Sequence, residues 1–410
     1  MTAVLIPALA LLGSCTSKSE ITILWTNQAE FASYTELFNL SQSKYRVIVE
    51  YKENPAGELI TTKQPPDLII GPWLKGEKTR SRLIPVDYLF NELRVNSKQF
   101  YTPLLDLGNI RGRQYLLPVS FNLPALVFSP EGQQQITSDF SLSLDQVKTL
   151  SREYNDQKKG LYTRMGFSPR WDMEFLYLAA QLFNVRFEED APLFKWNQAA
   201  LDNAVEYLRD WSRTINTSTT AEDDFKFKYL YDPPYKLVIA GKNLFSFMSS
   251  EDLFVLPQDK LQNIDFRWIH RNNQTPVNDG IIYMGICKKA PNLDAAEAFI
   301  IWFFNEKTQK DLLDRSKKMG TLSHSFGISG GFSSIRTVNE RVFPLLYPAL
   351  LGHLPPSDTL AVPRILPDNW ETLKQEIVIP YLNEAVTAGK DAETSVETLN
   401  DRIATWIKTH

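Results

Sequence analysis

Gly327-Ile328-Ser329-Gly330-Gly331 satisfies the GxSxG spacing of a hydrolase nucleophile elbow, and Asp358 or Asp368 followed by His410 gives an acid and a base in the order such enzymes use. An elbow needs an apolar strand running into the serine and a helix leaving it. The flanks are Leu322-Ser323-His324-Ser325-Phe326 and Phe332-Ser333-Ser334, which read as neither. A base at the last residue also sits where chains fray. The glycines are therefore read as turn residues, and a serine hydrolase built on Ser329 is the least favoured reading. The histidines, at 270, 324, 353 and 410, show no HExxH spacing, and the two cysteines, Cys15 and Cys287, cannot form a zinc site of the CxxC type. Glu188-Glu189-Asp190 and Asp223-Asp224 lack the spaced oxygen ligands and glycine turn of a calcium loop, and read as solvated loop charges. There is no Walker loop and no dinucleotide GxGxxG. No catalytic residue, metal or cofactor is expected.

Binding chemistry remains. The chain has 9 Trp, 16 Tyr and 24 Phe, more than a core of this size obliges. A cleft that selects sugars uses aromatic platforms for apolar ring faces and a few placed carboxylates and amides for hydroxyls. Trp73 follows an apolar strand, Trp171 stands beside Pro169-Arg170 where a helix begins, and Trp370 follows Pro367-Asp368-Asn369, so all three lie at the ends of elements.

At 410 residues the chain suits two domains, and a formal net charge of −4 with only isolated basic pairs argues against a nucleic-acid partner. Residues 1–14 differ from the rest: VLIPALALL runs without charge into Gly13-Ser14-Cys15, the h-region of a secretory signal and too short to span a bilayer. No Lys or Arg precedes the run, as a start further upstream would explain. Leu12-Gly13-Ser14-Cys15 resembles a bacterial lipobox, which implies lipidation at Cys15, a tether over 15–20 and a place on the outer face of a membrane. Cys287 is then left without a disulfide partner.

Ile21-Thr22-Ile23-Leu24-Trp25, Tyr45 to Tyr51 and Pro66 to Pro72 read as strands, with a helix over Glu30 to Leu40 between the first two. Strands separated by helices give a parallel sheet whose ligands lie at the carboxyl ends. Gly112 to Pro130 carries two apolar runs around Pro118 to Pro124, a segment that can be extended but not helical, and reads as a crossing between two bodies. Beyond it a helix is expected over 171–183 and another after Asn197, with Trp211 in the core. A Gly241 stop leads into a buried strand at Leu244 to Met248 and the acids Glu251 and Asp252. Ile281 to Ile286 reads as a strand reached by a second crossing at Asp279-Gly280, Asn292 as a helix cap, and Gly320 to Gly331 as a third crossing.

The order ITILW, YRVIVEY, PPDLIIGPW, LIPVDYLF, GRQYLLPVSFNLPALVF, then GKNLFSFM and a late strand before PNLDAAEAF, resembles the extracellular solute-binding proteins of bacterial ABC importers, in the group that includes maltose-binding protein. The resemblance covers most of residues 20–400. It implies an α/β, two-lobe periplasmic-binding-protein fold of type II, each lobe a mixed, mainly parallel sheet flanked by helices and joined by crossing hinge segments. The N-terminal lobe is 21–124 plus 281–322, and the C-terminal lobe 125–280 plus 323–410. It further implies a monomer that holds a small solute, a carbohydrate above all, between the lobes and hands it to a permease. Matching the family's cleft-facing positions are Asn27, Glu30, Trp73, Phe121, Asn122, Trp171, Glu251, Asp252 and Trp370. The first loop, Asn27-Gln28-Ala29-Glu30, lacks the adjacent acid and base of the maltose-binding example, and Asn122 stands where that example has an acid. Acids between aromatic walls also suit a polyamine or a small peptide. A surface lipoprotein with this fold used for adhesion or signalling is the alternative from another class.

Overall fold

The computed structural model describes residues 20–91, 94–136, 140–190, 193–388 and 397–409. Cys15, the apolar start and His410 lie outside the described residues. In chain order the principal strands are β1 (Glu20–Thr26), β2 (Tyr45–Tyr51), β3 (Leu68–Gly71), β4 (Leu117–Phe121), β5 (Pro124–Phe128), β6 (Ser141–Ser143), β7 (Ser246–Ser249), β8 (Asp265–His270), β9 (Ile282–Ile286) and β10 (Phe332–Ser333). The helices that position the site are α1 (Glu30–Ser41), α2 (Met173–Leu182), α3 (Gln198–Thr214), α4 (Leu293–Phe303) and α5 (Trp370–Leu373).

Two sheets result. The first is six-stranded, in the order β10-β4-β9-β3-β1-β2, and the second four-stranded, in the order β7-β5-β8-β6. Parallel pairing joins β1 to β2 and β3, and β8 to β6. Strands next to the crossings pair antiparallel instead: β9 with β3 and β4, β10 with β4, and β5 with β7 and β8. The mixed sheets are thus less parallel than expected. The reason is topological, because the returning strand β9 inserts between β4 and β3 and runs antiparallel to both.

The extended crossing is where the sequence puts it. β4 ends at Phe121 in the first sheet and β5 starts at Pro124 in the second, with Asn122 and Leu123 between. The segment after Asp279-Gly280 returns as β9 to the first sheet. The expectation for Gly320 to Gly331 needs correction, since that segment leads into β10, paired with β4 in the first sheet (Phe332 opposite Phe121), and so has not left it. The chain reaches the second lobe further on, where Leu366, Trp370 and Leu373 join the core of α2 and α3.

Local rules account for these elements. α1 turns Phe31, Tyr34 and Phe38 inward against Phe299 and Phe303 of α4, with Phe38 and Phe299 edge to face at 5.3 Å. Asn197 caps α3 by accepting from the Ala200 amide at 3.1 Å, and Trp211 is fully buried on the helix's inner face. Asn292 precedes α4 without capping it through its side chain. Its amide reaches the Ile21 carbonyl at 2.5 Å, tying the helix start to β1.

Both lobes share one core at the crossings. Phe254, Phe266 and Trp268 from the second lobe meet Phe326, Phe332 and Tyr347 beside the first sheet, with Phe254 stacked on Phe326 at 4.8 Å and Trp268 edge-on to Phe332 at 5.8 Å. Phe254→Ala removes the ring that touches each of the other five and is expected to cost about 3–5 kcal/mol. Urea unfolding measures it, and a loss under about 1 kcal/mol would show that the lobes do not depend on this cluster.

Candidate functional site

The first lobe offers the carboxyl ends of β1 and β3 to the crossings. Asn27 follows β1, and its Oδ1 accepts from Gln28 Nε2 at 2.8 Å. Gln28 Oε1 accepts from Ser329 Oγ at 3.1 Å, and the Glu30 carboxylate accepts from Ser325 Oγ. The Gly327 to Gly331 turn therefore seats on this loop. Gly327 has φ +58°, and a Cβ there would meet the Gly331 carbonyl at 2.3 Å, so the tight turn demands glycine. Ser329 is buried and gives its hydroxyl proton to an amide oxygen, and a short 3₁₀ turn rather than a strand precedes the segment. The glycines are structural and the elbow reading fails on geometry.

Asn122 is the polar joint of the crossing. Its Nδ2 donates to the Gly330 carbonyl at 2.9 Å and to Glu251 Oε2 at 3.3 Å, while its Oδ1 accepts from Ser250 Oγ at 2.6 Å. Ser250–Leu253 is a single helical turn capped by Ser249, and it carries Glu251 and Asp252 to the cleft wall. Partial desolvation raises both carboxyls, and at Glu251 the Asp252 charge adds to it.

These residues line a cavity of about 540 Å³, with Asp172, Glu174, Tyr177, Gln181, Asn278, Asp279, Glu371 and Lys374 on its other walls. Asp279, on the return crossing, is the most heavily hydrogen-bonded carboxylate of these walls. This carboxylate is 6% exposed and accepts from Tyr177 OH at 2.5 Å, Gln181 Nε2 at 2.6 Å and Trp370 Nε1 at 2.9 Å. Burial raises its pKa, and Lys374, the Tyr177 and Trp370 donors and Lys75 oppose that. Burial also lowers the Lys374 ammonium, but Glu371, Glu174 and Asp279 outweigh it and leave the group raised.

Other expected site residues lie elsewhere. Phe121 is 3% exposed, its ring 5.3 Å from Tyr101 and 5.6 Å from Phe332, and is core. Trp370 is also core: its ring packs among Phe187, Phe194 and Tyr177, and only its Nε1 reaches the site, at Asp279. Trp73, at φ +62°, packs on the first-lobe core and on the second-lobe core around Trp370, bridging the lobes. Trp171 donates Nε1 to the Glu222 carbonyl at 3.2 Å and stacks on Phe225 at 5.5 Å, beside the cleft rather than within it. The acidic runs are not simply solvated either. Glu189 accepts the Glu77 amide at 3.0 Å across the lobes, and Asp223 pairs with Arg170 at 3.1 Å.

The sequence reading missed Asp279 as a site residue, together with Tyr177, Gln181 and Lys374. A signal was present. Glu174, Tyr177 and Gln181 stand at i, i+3 and i+7 of an otherwise apolar helix, a polar stripe that a fully buried helix has no use for.

Lys75 is fully buried, its Nζ makes no hydrogen bond, and it lies 5.3 Å from the Tyr283 ring centroid. Burial pushes it down to about 8 from 10.5, with Asp279 pulling the other way. Between those values the unfolded chain holds a proton that the folded one has released, so stability rises with pH, by up to about 1.4 kcal/mol per pH unit. Lys75→Met is expected to flatten that rise between pH 8 and 10. Urea midpoints at each pH measure it, and an unchanged slope would place the titration elsewhere.

No protein-family model matches the chain, and no curated protein matches it. Solved structures do. The cyclic α-maltosyl-1,6-maltose binding protein from Arthrobacter globiformis superposes with a TM-score of 0.64 at 14% identity, over 96% of this chain and 100% of that one. The sugar-binding protein MalE from Xanthomonas citri gives 0.70 at 14% identity, over 95% and 98%. An ABC substrate-binding protein from Listeria monocytogenes in complex with cycloalternan gives 0.61 at 13%, over 96% and 98%. The chain has the two-lobe fold of ABC substrate-binding proteins. The likeness extends along its length and is one of architecture, with few residues shared.

Proposed function

We propose that this chain is the solute-binding component of an ABC importer, anchored through a lipid on Cys15, which captures a sugar or oligosaccharide between its lobes and delivers it to a permease. The observation that carries the reading is the polar cavity of about 540 Å³ at the junction of the lobes, walled by Asn122, Glu251, Asp252, Asn278 and the Asp279 cluster. Its acceptors and amides suit hydroxyl groups. Solved proteins of the same fold carry names that specify maltosyl maltose, cycloalternan and maltotriose as their ligands. Closure would work by population shift, the solute favouring the lobe arrangement that surrounds it. A cationic solute such as a polyamine is the second reading, favoured by the excess of carboxylates over Lys374 on the cavity wall.

Native mass spectrometry of the protein as purified, then thermal unfolding against oligosaccharides, polyamines and short peptides, tests this. A melting shift that grows with concentration, equivalent to about 2.7 kcal/mol at 100 times the Kd, is expected for the solute class. Asn122→Ala and Glu251→Ala should each weaken binding about tenfold or more, having removed one hydrogen-bonding group apiece. If nothing on the panel moves the melting point, the adhesion or signalling reading takes precedence. For the anchor, Cys15→Ser is expected to move the protein from the membrane fraction to the soluble one, and retention in the membrane would rule out attachment at that residue.

A further inference from the structure

Beside the cleft, inside the second lobe, lies a separate cavity of about 210 Å³. Aromatic and aliphatic side chains, Phe167, Trp171, Phe225, Leu237 and Phe247 among them, make up most of its walls, and Asp172, Lys226 and Asp232 also line it. Trp171 and Phe225 form one continuous ring surface, stacked at 5.5 Å with planes 17° apart. One polar group stands among them unsatisfied. Asn243 is 4% exposed, lines the cavity, and its Oδ1 accepts no hydrogen bond. A buried amide oxygen without a donor costs about 1–3 kcal/mol, so the pocket is poorly satisfied as it stands. It adjoins the cleft, since Asp172, Pro234 and Phe247 line both.

An apolar cavity of roughly 150 Å³ accommodates benzene, so this one has room for a substituted ring. We infer that the pocket holds an aryl group bearing a hydroxyl or amine donor for Asn243, and that the solute is an aryl glycoside whose sugar occupies the cleft while its aglycone enters the pocket past Phe247. The carbohydrate half of this inference rests on the solute-capture reading above. The pocket half does not.

The test separates the two. With 4-fluorophenol as probe, its fluorine resonance should broaden on adding the full chain. The broadening should be lost in Leu237→Trp, which fills the cavity, and weakened about tenfold in Asn243→Leu, which keeps the volume and removes the acceptor. For the linked solute, 4-hydroxyphenyl β-D-glucoside should bind at least about tenfold more tightly than methyl β-D-glucoside, and both variants should erase that ratio. No broadening with the wild-type chain, or broadening that neither variant alters, overturns the pocket, even if the sugar panel succeeds. Broadening that follows the variants while no sugar or glucoside binds establishes the aryl site and overturns the carbohydrate reading instead. Equal affinity for the two glucosides overturns the linkage between pocket and cleft.

Discussion

A carboxylate buried as deeply as Asp279 loses several kcal/mol of solvation, and the surrounding structure is committed to recovering it. Tyr177 and Gln181 come from α2, Trp370 from the start of α5, and Asp279 itself from the crossing that returns the chain to the first sheet. Three donors on one acceptor fix how the crossing lies against the second lobe. The arrangement also divides space. Tyr177 and Gln181 line the 540 Å³ cleft on one side and a cavity of about 760 Å³ on the other, so the Asp279 cluster is the partition between them. The indole of Trp370 spends its ring on the core and its N–H on this carboxylate, which is why a tryptophan expected as a platform serves as a donor.

The aromatic core at the crossings sets a second constraint. Stacked and edge-on rings from both lobes meet there without a polar layer between them. Separating this cluster would expose several rings to water, which disfavours any arrangement of the lobes that parts it. Outside the crossings the lobes also touch through Trp73, the hydrogen bond from the Glu77 amide to Glu189, and the close approach of Gly76 to Pro367. Trp73 also holds a left-handed backbone, a cost of order 1–2 kcal/mol for a residue with a Cβ. In the solute-capture reading, such contacts would be traded against a solute's differential affinity, and about 5.5 kcal/mol suffices to invert a 1:99 equilibrium.

Sequence patterns carried the fold a long way. Tyr45 to Tyr51 is β2 residue for residue, α1 starts at Glu30, and the Pro118 to Pro124 crossing joins the two sheets, because β-branched runs, helical spacing and proline act locally. Strand direction was less legible, since it depends on which lobe a strand returns from. Gly320 to Gly331 shows the limit. Its glycines mark a turn, but whether a turn leaves a lobe is decided by what pairs afterwards, and Phe332 pairs with Phe121. At the candidate site, Asn122, Glu251 and Asp252 line the cavity. Phe121 and Trp370 do not present their rings, because no one-dimensional pattern distinguishes an aromatic at an element end that faces solvent from one that turns inward. Asp279 was visible as a crossing residue, and its role was not, because its three partners come from residues about 90 to 102 positions away.

The charges of the cleft can be read for what they exclude. Among the described residues Lys374 is its one lining cation, and it is already engaged, at 3.2 Å from Glu174 and 3.1 Å from Glu371. Lys75 is fully buried and does not line the cavity, and the Asp279 charge favours its protonated form. A phosphate or carboxylate in the solute would therefore meet Glu251, Asp252 and Asp172 with no free cation among the lining residues, at a repulsion that the low dielectric of a closed cleft enlarges. Hydroxyl and ammonium donors meet acceptors instead. Neutral polyols and cations share that advantage, and what separates them is Asn122: its amide presents both a donor and an acceptor at the crossing, already divided between Gly330 and Ser250, so a hydroxyl that both donates and accepts can replace either partner whereas an ammonium can replace only one.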